Sequence, residues 1–262
     1  MAALVDIKDL AIAYGAAPPV LRGFSARLEP GSFTAVVGPS GVGKSTLLRV
    51  LAGLSKPVAG TVDLPAARDG RRRPVALVFQ EPRLLPWRRI LGNVGFGLEG
   101  LALSRTERQE RARATLALVG LAETAQRWPY QLSGGQRQRI GLARALAVDP
   151  EILLLDEPFS ALDAITRQQL QDELLRLWRE TGPTILFVTH DLDEAVYLAD
   201  RVLLLGGRPA GIVRDFPVDL PRPRVRDTLS FGDTVRDIRA ALSESIISGS
   251  VVSESLSEGA GI

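Results

Sequence analysis

Five short runs of almost continuous Val, Ile, Leu and Phe punctuate the chain: FTAVVG (Phe33 to Gly38), VALVF (Val75 to Phe79), EILLLDEP (Glu151 to Pro158), TILFVTH (Thr184 to His190) and RVLLLG (Arg201 to Gly206). Apolar runs of this length, bounded by Gly, Pro or acidic residues, are what strands buried on both faces show. Between several of them the pattern changes period. Leu47, Leu48, Val50, Leu51 and Leu54 recur at helical spacing after the first run, and Ile165, Leu170, Leu174, Leu177 and Trp178 make a helical stripe after the third. Strands alternating with helices predict an α/β fold with a mainly parallel sheet and crossover helices.

Three segments depart from that pattern. LVDIKDLAIAYG and FSARLEPGS, near the start, alternate apolar and polar residues and are separated by turn formers, which predicts an antiparallel β edge. Between Gln80 and Ser133 there is no strand signal; the Arg- and Ala-rich SRTERQERARATLALVGL reads as helix, and residues of about 81–147 are expected to form an inserted helical subdomain. Past 215, the stretch 216–247 is expected to hold one helix over Asp233 to Ser245. The Ser-, Gly- and Glu-rich residues 248–262 read as a disordered tail.

Composition narrows the function classes. The chain has 262 residues, 45% hydrophobic and 24% charged, and no cysteine, so disulfides, thiolate metal sites and cysteine nucleophiles are excluded. A net charge of +2 gives no nucleic-acid footprint. The Arg-rich RDGRRRP before the second apolar run reads as a surface feature. No run of about 18 apolar residues is present, and Asp6, Lys8 and Asp9 fall where a signal peptide needs an apolar core, so neither a membrane span nor a signal peptide is expected.

The candidate chemistry sits at the ends of the apolar runs. Gly38, Pro39, Ser40, Gly41, Val42, Gly43, Lys44 and Ser45, followed by Thr46, fit G-x-x-x-x-G-K-[ST] between an apolar strand and a helix. Glycines let such a loop turn its N–H groups around phosphate oxygens, while the Lys44 ammonium suits the β- and γ-phosphates and the Ser45 hydroxyl suits Mg²⁺. The third run ends in Asp156 and Glu157, a metal ligand beside a proton acceptor. Upstream of it, LSGGQ (Leu132 to Gln136) puts small residues at the head of a helix, where open N–H groups suit an anion.

Taken in order, the phosphate loop, Gln80 after the next apolar strand, LSGGQ, ILLLDE, SALD (Ser160 to Asp163) and strand-end His190 resemble the ATPase subunits of ABC transporters over Leu4 to Asp215. The resemblance implies a P-loop NTPase core with an antiparallel β edge subdomain and a helical subdomain, and ATP and Mg²⁺ as ligands. It implies that Asp156 holds Mg²⁺ through its water shell, that Glu157 is the general base and that His190 contacts the γ-phosphate and orients Glu157. Gln80 would reach Mg²⁺ and the attacking water at the hinge to the helical subdomain, and Tyr14 would stack on adenine. Two identical subunits would pack head to tail, with Ser133, Gly134, Gly135 and Gln136 of one closing over ATP held by the other and Asp163 linking the two sites.

The same resemblance implies partners and a place. EPRLLPWRRILGNVGFGLEG, with Leu84, Leu85, Trp87 and Ile90, is expected to be an exposed groove where a membrane-spanning permease docks; the competing reading makes Trp87 the core of the helical subdomain. LLPW, SALDAITRQQLQDELLRLW, FVTHDLDEAVYLADRV and LPRPR (Leu220 to Arg224) look most like the importer branch for nitrate, sulfonates and taurine. That implies a peripheral subunit at the cytoplasmic face of the membrane, with an extracytoplasmic solute-binding protein in the full complex. An importer for another small nutrient, such as a pyrimidine precursor, stays open. A non-transport ABC ATPase acting on nucleic acid or ribosomes would carry a coiled-coil insertion or a second cassette, and this chain has neither heptads nor an internal repeat.

Overall fold

A computed structural model describes residues 4–15, 17–66 and 70–258, with side chains as far as Ser245. In chain order the elements are β1 (Val5–Ile12), β2 (Leu21–Leu28), β3 (Phe33–Val37), α1 (Lys44–Leu51), β4 (Ala59–Asp63), β5 (Val75–Val78), α2 (Ile90–Phe96), α3 (Arg105–Leu118), α4 (Gly134–Leu146), β6 (Ile152–Asp156), α5 (Ala164–Thr181), β7 (Thr184–Val188), α6 (Leu192–Leu198), β8 (Arg201–Gly206), β9 (Gly211–Pro217) and α7 (Leu229–Glu258). The architecture is α/β, with a mixed, mostly parallel sheet, an antiparallel sheet and helices. It divides into two compact units, one of Met1–Leu4, Glu29–Gly31 and Leu64–Leu186, the other of Val5–Leu28, Ser32–Asp63 and Phe187–Ile262.

In the first unit β5, β6 and β7 lie in that order, β5 and β6 parallel with Val75 beside Ile152 and Val78 beside Leu155. The segment 81–147 carries α2, α3, α4 and two short 3₁₀ turns, and no strand. α3 starts where a capping box dictates: Ser104 Oγ accepts from Glu107 N at 3.2 Å and Glu107 Oε2 accepts from Ser104 N at 2.7 Å. The Ser104 N–H, helped by Arg71, holds the Glu107 carboxyl down at about 2.

The run read as a surface feature is partly a brace. Arg71 also bonds the Ala102 carbonyl, Arg72 pairs with Asp149 and Arg73 donates to the Glu99 carbonyl, so these arginines join the entry of β5 to the turn between α2 and α3 and to the turn after α4. Arg68 and Asp69 of that run lie outside the described residues.

In the second unit β2, β1 and β4 form the antiparallel sheet, with Val5 opposite Leu28 and Ile7 opposite Ala26 on one side and opposite Val62 on the other. β3 and β8 pair in parallel, and β9 runs antiparallel to β8. All five residues of β3 are buried, as a doubly covered strand requires. β4 and β9 were not legible as strands. Their side chains are mostly exposed, so pairing with an edge rather than burial of an apolar run defines them.

LPRPR turns out to be a set of caps. α6 ends with its last carbonyls unspent inside the helix. Arg224, itself buried, donates to the carbonyls of Val196, Tyr197 and Ala199, and also to Val218 at 3.0 Å and Leu220 at 3.2 Å. Arg222 takes the Leu198 carbonyl and pairs with Asp200 at 2.8 Å. Burial pushes the Arg224 guanidinium down to about 10, and its ring of carbonyls supplies the dipoles that replace water.

α7 corrects the expected end of the chain. Phe231, Val235, Ile238 and Ala241 form one buried stripe, which seats the helix on α6 and β8. The helix runs from Leu229 to Glu258, well beyond Asp233 to Ser245 and through residues assigned by composition to a disordered tail. No proline follows Ser245 to stop it, and helix propagation from a formed turn costs far less than nucleation. Residues 259–262 lie outside the described residues.

Candidate functional site

The second unit builds the phosphate loop at the end of β3. Gly41 and Gly43 take φ of 77° and 101°, in the left-handed region that a side chain disfavours. Gly38 is glycine for a different reason: a Cβ there would lie 2.7 Å from the Leu205 carbonyl oxygen, because β8 passes directly against the loop.

α1 then starts at Lys44 with no capping side chain and no acidic residue in its first turn. This differs from α3, α4, α5 and α6, whose first turns are capped by Ser104, Ser133, Asp163 and Asp191. An uncapped N-terminus under a glycine loop has open N–H groups that suit an anion. Lys44 is buried, and its Nζ donates to the carbonyls of Gly38 at 2.8 Å and Pro39 at 2.9 Å. A cavity of about 680 Å³ lies beside the loop, lined by Val20, Pro39, Ser40, Gly41 and Val42 among others.

Tyr14 is joined to this loop. Its hydroxyl hydrogen-bonds the buried Thr46 Oγ1, which holds an aromatic side chain that is 55% exposed at the start of α1. His190, exposed, lies in the same unit, just after the last two residues of β7. The turn that carries it is held from below by residues the sequence reading missed: buried Thr189 donates through Oγ1 to buried Glu194 at 2.7 Å and accepts from Asp191 N at 3.0 Å.

The first unit holds the carboxylates. Asp156 ends β6, and Glu157 turns the chain with φ of 44°, a conformation costly for a residue with a side chain. Ser160 holds that turn, donating through Oγ to the Glu157 carbonyl at 3.0 Å and accepting from Gln80 Nε2 at 3.0 Å. Gln80 and the Glu157 backbone are thus two hydrogen bonds apart, and Ser160, seen in sequence only as the first residue of SALD, is the link.

The LSGGQ turn is less open than its composition implies. Ser133 Oγ accepts from Gln136 N at 3.2 Å and Gln136 Oε1 accepts from Ser133 N at 3.0 Å, so two of its backbone donors are already used inside the chain. Asp163 likewise caps α5, accepting from Thr166 N at 3.0 Å; that N–H lowers the Asp163 carboxyl below its ordinary range.

The LLPW segment is built around Asn93. Fully buried, its amide bonds both the N–H and the carbonyl of Leu85 and the Arg88 carbonyl at 2.9 Å, which closes the turn that displays Trp87. Trp87 is 70% exposed, which removes its reading as a core residue. Leu84 and Leu85 are half-buried. Ile90, expected on the groove, is instead fully buried, because it is the first residue of α2 and points into the helical packing.

The profile of the ABC transporter family matches residues 21–160. The chain belongs to the ABC transporter family. The cassette is 53% identical over 214 residues to an aliphatic sulfonates import ATP-binding protein of Pseudomonas fluorescens, covering 79% of this chain and 75% of that one. It is 50% identical to a counterpart from Xanthomonas axonopodis (85% and 90% covered) and 49% identical to a taurine import ATP-binding protein of Pseudomonas aeruginosa (84% and 82% covered).

Among solved structures it resembles a dimeric, post-hydrolysis ATP-binding cassette bound to ADP and Pi, with a TM-score of 0.70 at 32% identity over 83% of this chain and all of that one. The fold is also that of a cassette from Clostridium perfringens, with a TM-score of 0.74 at 24% identity over 92% and 96% of the two chains. ABC cassettes of this kind bind and hydrolyse ATP, and importer cassettes work with a membrane permease. Among the described residues no helix is long and apolar enough to cross a membrane.

Proposed function

We propose that residues 1–215 form the ATPase of an importer for aliphatic sulfonates or taurine, peripheral to the cytoplasmic face of the membrane. The observation that carries the solute class is the identity of about half of the aligned positions to sulfonate and taurine import subunits across most of their length.

In this reading the uncapped N-terminus of α1 and the loop Gly38 to Thr46 receive the ATP phosphates, Lys44 exchanging its loop carbonyls for phosphate oxygens, with adenine on Tyr14. The residues suit Mg²⁺ as a shared ligand rather than a caged one: among the described residues no cluster of three His, Cys, Asp or Glu could hold a metal alone, and Mg²⁺ commonly takes one or two carboxylates plus phosphate oxygens. Ser45, Gln80 and Asp156 would hold it, and when bound it would neutralise charge on the transferred phosphate.

Glu157 takes the proton of the attacking water, and His190 orients Glu157 and the γ-phosphate. A second copy of the chain supplies Ser133, Gly134, Gly135 and Gln136 over that phosphate, and Asp163 couples the two sites. Binding closes the pair and hydrolysis releases it. Leu84, Leu85 and Trp87 receive the permease, whose extracytoplasmic side takes solute from a binding protein.

Deleting the gene tests the solute. Growth on an aliphatic sulfonate or taurine as sole sulfur source is expected to fail and to return with the gene. Normal growth on both, with no second importer present, would move the assignment to nitrate or a pyrimidine precursor. For the partner, Trp87→Ala is expected to leave the ATPase of the isolated subunit and its melting temperature unchanged, because the side chain is exposed, while recovery of the permease in pull-downs from detergent-solubilised membranes falls by about ten-fold. Undiminished recovery would remove Trp87 from the interface.

A further inference from the structure

Gly135 is glycine for a reason that lies inside its own chain. It sits in the first turn of α4 with ordinary helical backbone, so conformation alone does not require glycine. A Cβ built there would stand 2.5 Å from Thr166 Cγ2, far inside contact distance, whereas Thr166 Cβ would be at an ordinary 3.9 Å. The clash is with one methyl group. That methyl moves only by a whole change of rotamer, since a threonine in a helix has two favoured χ1 settings.

Thr166 does two things at once. Its methyl packs on the signature turn, and its N–H is the bond that caps α5 with Asp163. The neighbouring glycine also abuts the SALD turn, with its Cβ position 3.9 Å from Leu162 Cδ2. Arg167 then ties the base of α5 to the Leu162 carbonyl at 3.1 Å. The first turns of α4 and α5 are therefore joined side by side, through residues 31 positions apart in sequence.

We infer that Thr166 is a positioning residue that fixes the Ser133 to Gln136 turn against the Asp163 turn, so that both are presented to a second copy as one rigid face, and that Gly135 is small in order to admit it. The inference rests on the proposal above that these two turns meet a partner cassette. It adds that ATP-driven closure depends on an intrachain contact that touches no nucleotide.

The experiment uses the full chain in a Glu157→Gln background with Gly135→Ala, Thr166→Ser and the two combined. Melting without nucleotide reads the packing, where no partner takes part. Size exclusion with ATP reads closure. Gly135→Ala is expected to melt about 3–10 °C lower, the usual scale for one methyl forced into a filled space, and to weaken ATP-driven dimerisation by at least about ten-fold with nucleotide binding to the monomer retained. Thr166→Ser alone, which removes the methyl and keeps the N–H, is expected to weaken closure by about five-fold or more with nucleotide binding retained, and closure equal to the parent's overturns the positioning role.

The double variant is expected to melt within about 2 °C of the parent and to close to within about three-fold of it. Recovery of melting without recovery of closure overturns the positioning role and leaves Gly135 to the nucleotide. Unchanged melting and closure in Gly135→Ala overturns the inference entirely. A parent that fails to dimerise with ATP overturns the two-copy reading, and the melting series then decides the packing claim by itself.

Discussion

Glu157→Gln is expected to lower ATP hydrolysis by about 100-fold or more while ATP binding survives. The substitution keeps shape and hydrogen-bonding capacity and removes only the ability to take a proton, and a positioned general base is worth about 10²- to 10⁴-fold. The structure makes this a clean test. Glu157 is held at φ of 44° through its backbone carbonyl, which accepts from Ser160, so the side chain changes without disturbing the Gln80 to Ser160 link. Single-turnover phosphate release, measured beside nucleotide binding, is the readout. Turnover within a few-fold of the parent would assign the proton to another group.

Lys44→Ala and Ser133→Arg are expected to fail at different stages. Lys44 is the buried cation of the phosphate loop, and loss of a charge-assisted contact worth about 1.5–3 kcal/mol should cost roughly 10- to 150-fold in nucleotide affinity of the monomer. Ser133→Arg leaves Gly38 to Thr46, Tyr14 and Asp156 intact, so monomer affinity is retained, but the long side chain covers the head of α4 and ATP-driven dimerisation is lost.

One complication is built into the site. Ser133 caps α4 through Gln136, and removing that cap costs about 1 kcal/mol wherever the helix points. Ser133→Ala measures the cap alone, and closure that survives in Ser133→Ala but not in Ser133→Arg isolates the steric block. Equal loss of monomer affinity in the Lys44 and Ser133 variants would mean that the turn serves its own chain's nucleotide.

The readable parts of this chain are those whose physics is local. Val36, Leu154 and Phe187 lie in runs that only a doubly buried strand accommodates, and the glycines before Lys44 mark a loop whose backbone needs left-handed φ within a few residues. Trp87 could be read two ways, because an aromatic among prolines and arginines suits a surface or a core equally well. Its 70% exposure decided the matter, and packing of α2 took Ile90 inside. LPRPR was legible as a resemblance, yet its work is to cap α6, whose last carbonyls meet Arg224 only once β8 and the chain beyond it have folded back.

By itself, then, the sequence determined the α/β class, the phosphate loop, the order of the motifs and the position of the carboxylates at a strand end, because period, turn chemistry and capping act over a few residues. Tertiary structure alone decided that Ser160 joins Gln80 to the Glu157 turn, that Tyr14 is tied to Thr46, that β4 and β9 are strands and that Thr166 fills the space beside Gly135. Each of these depends on chain segments brought together by burial of apolar surface elsewhere, and a pattern confined to a few neighbouring residues carries no trace of which distant side chain will arrive beside it.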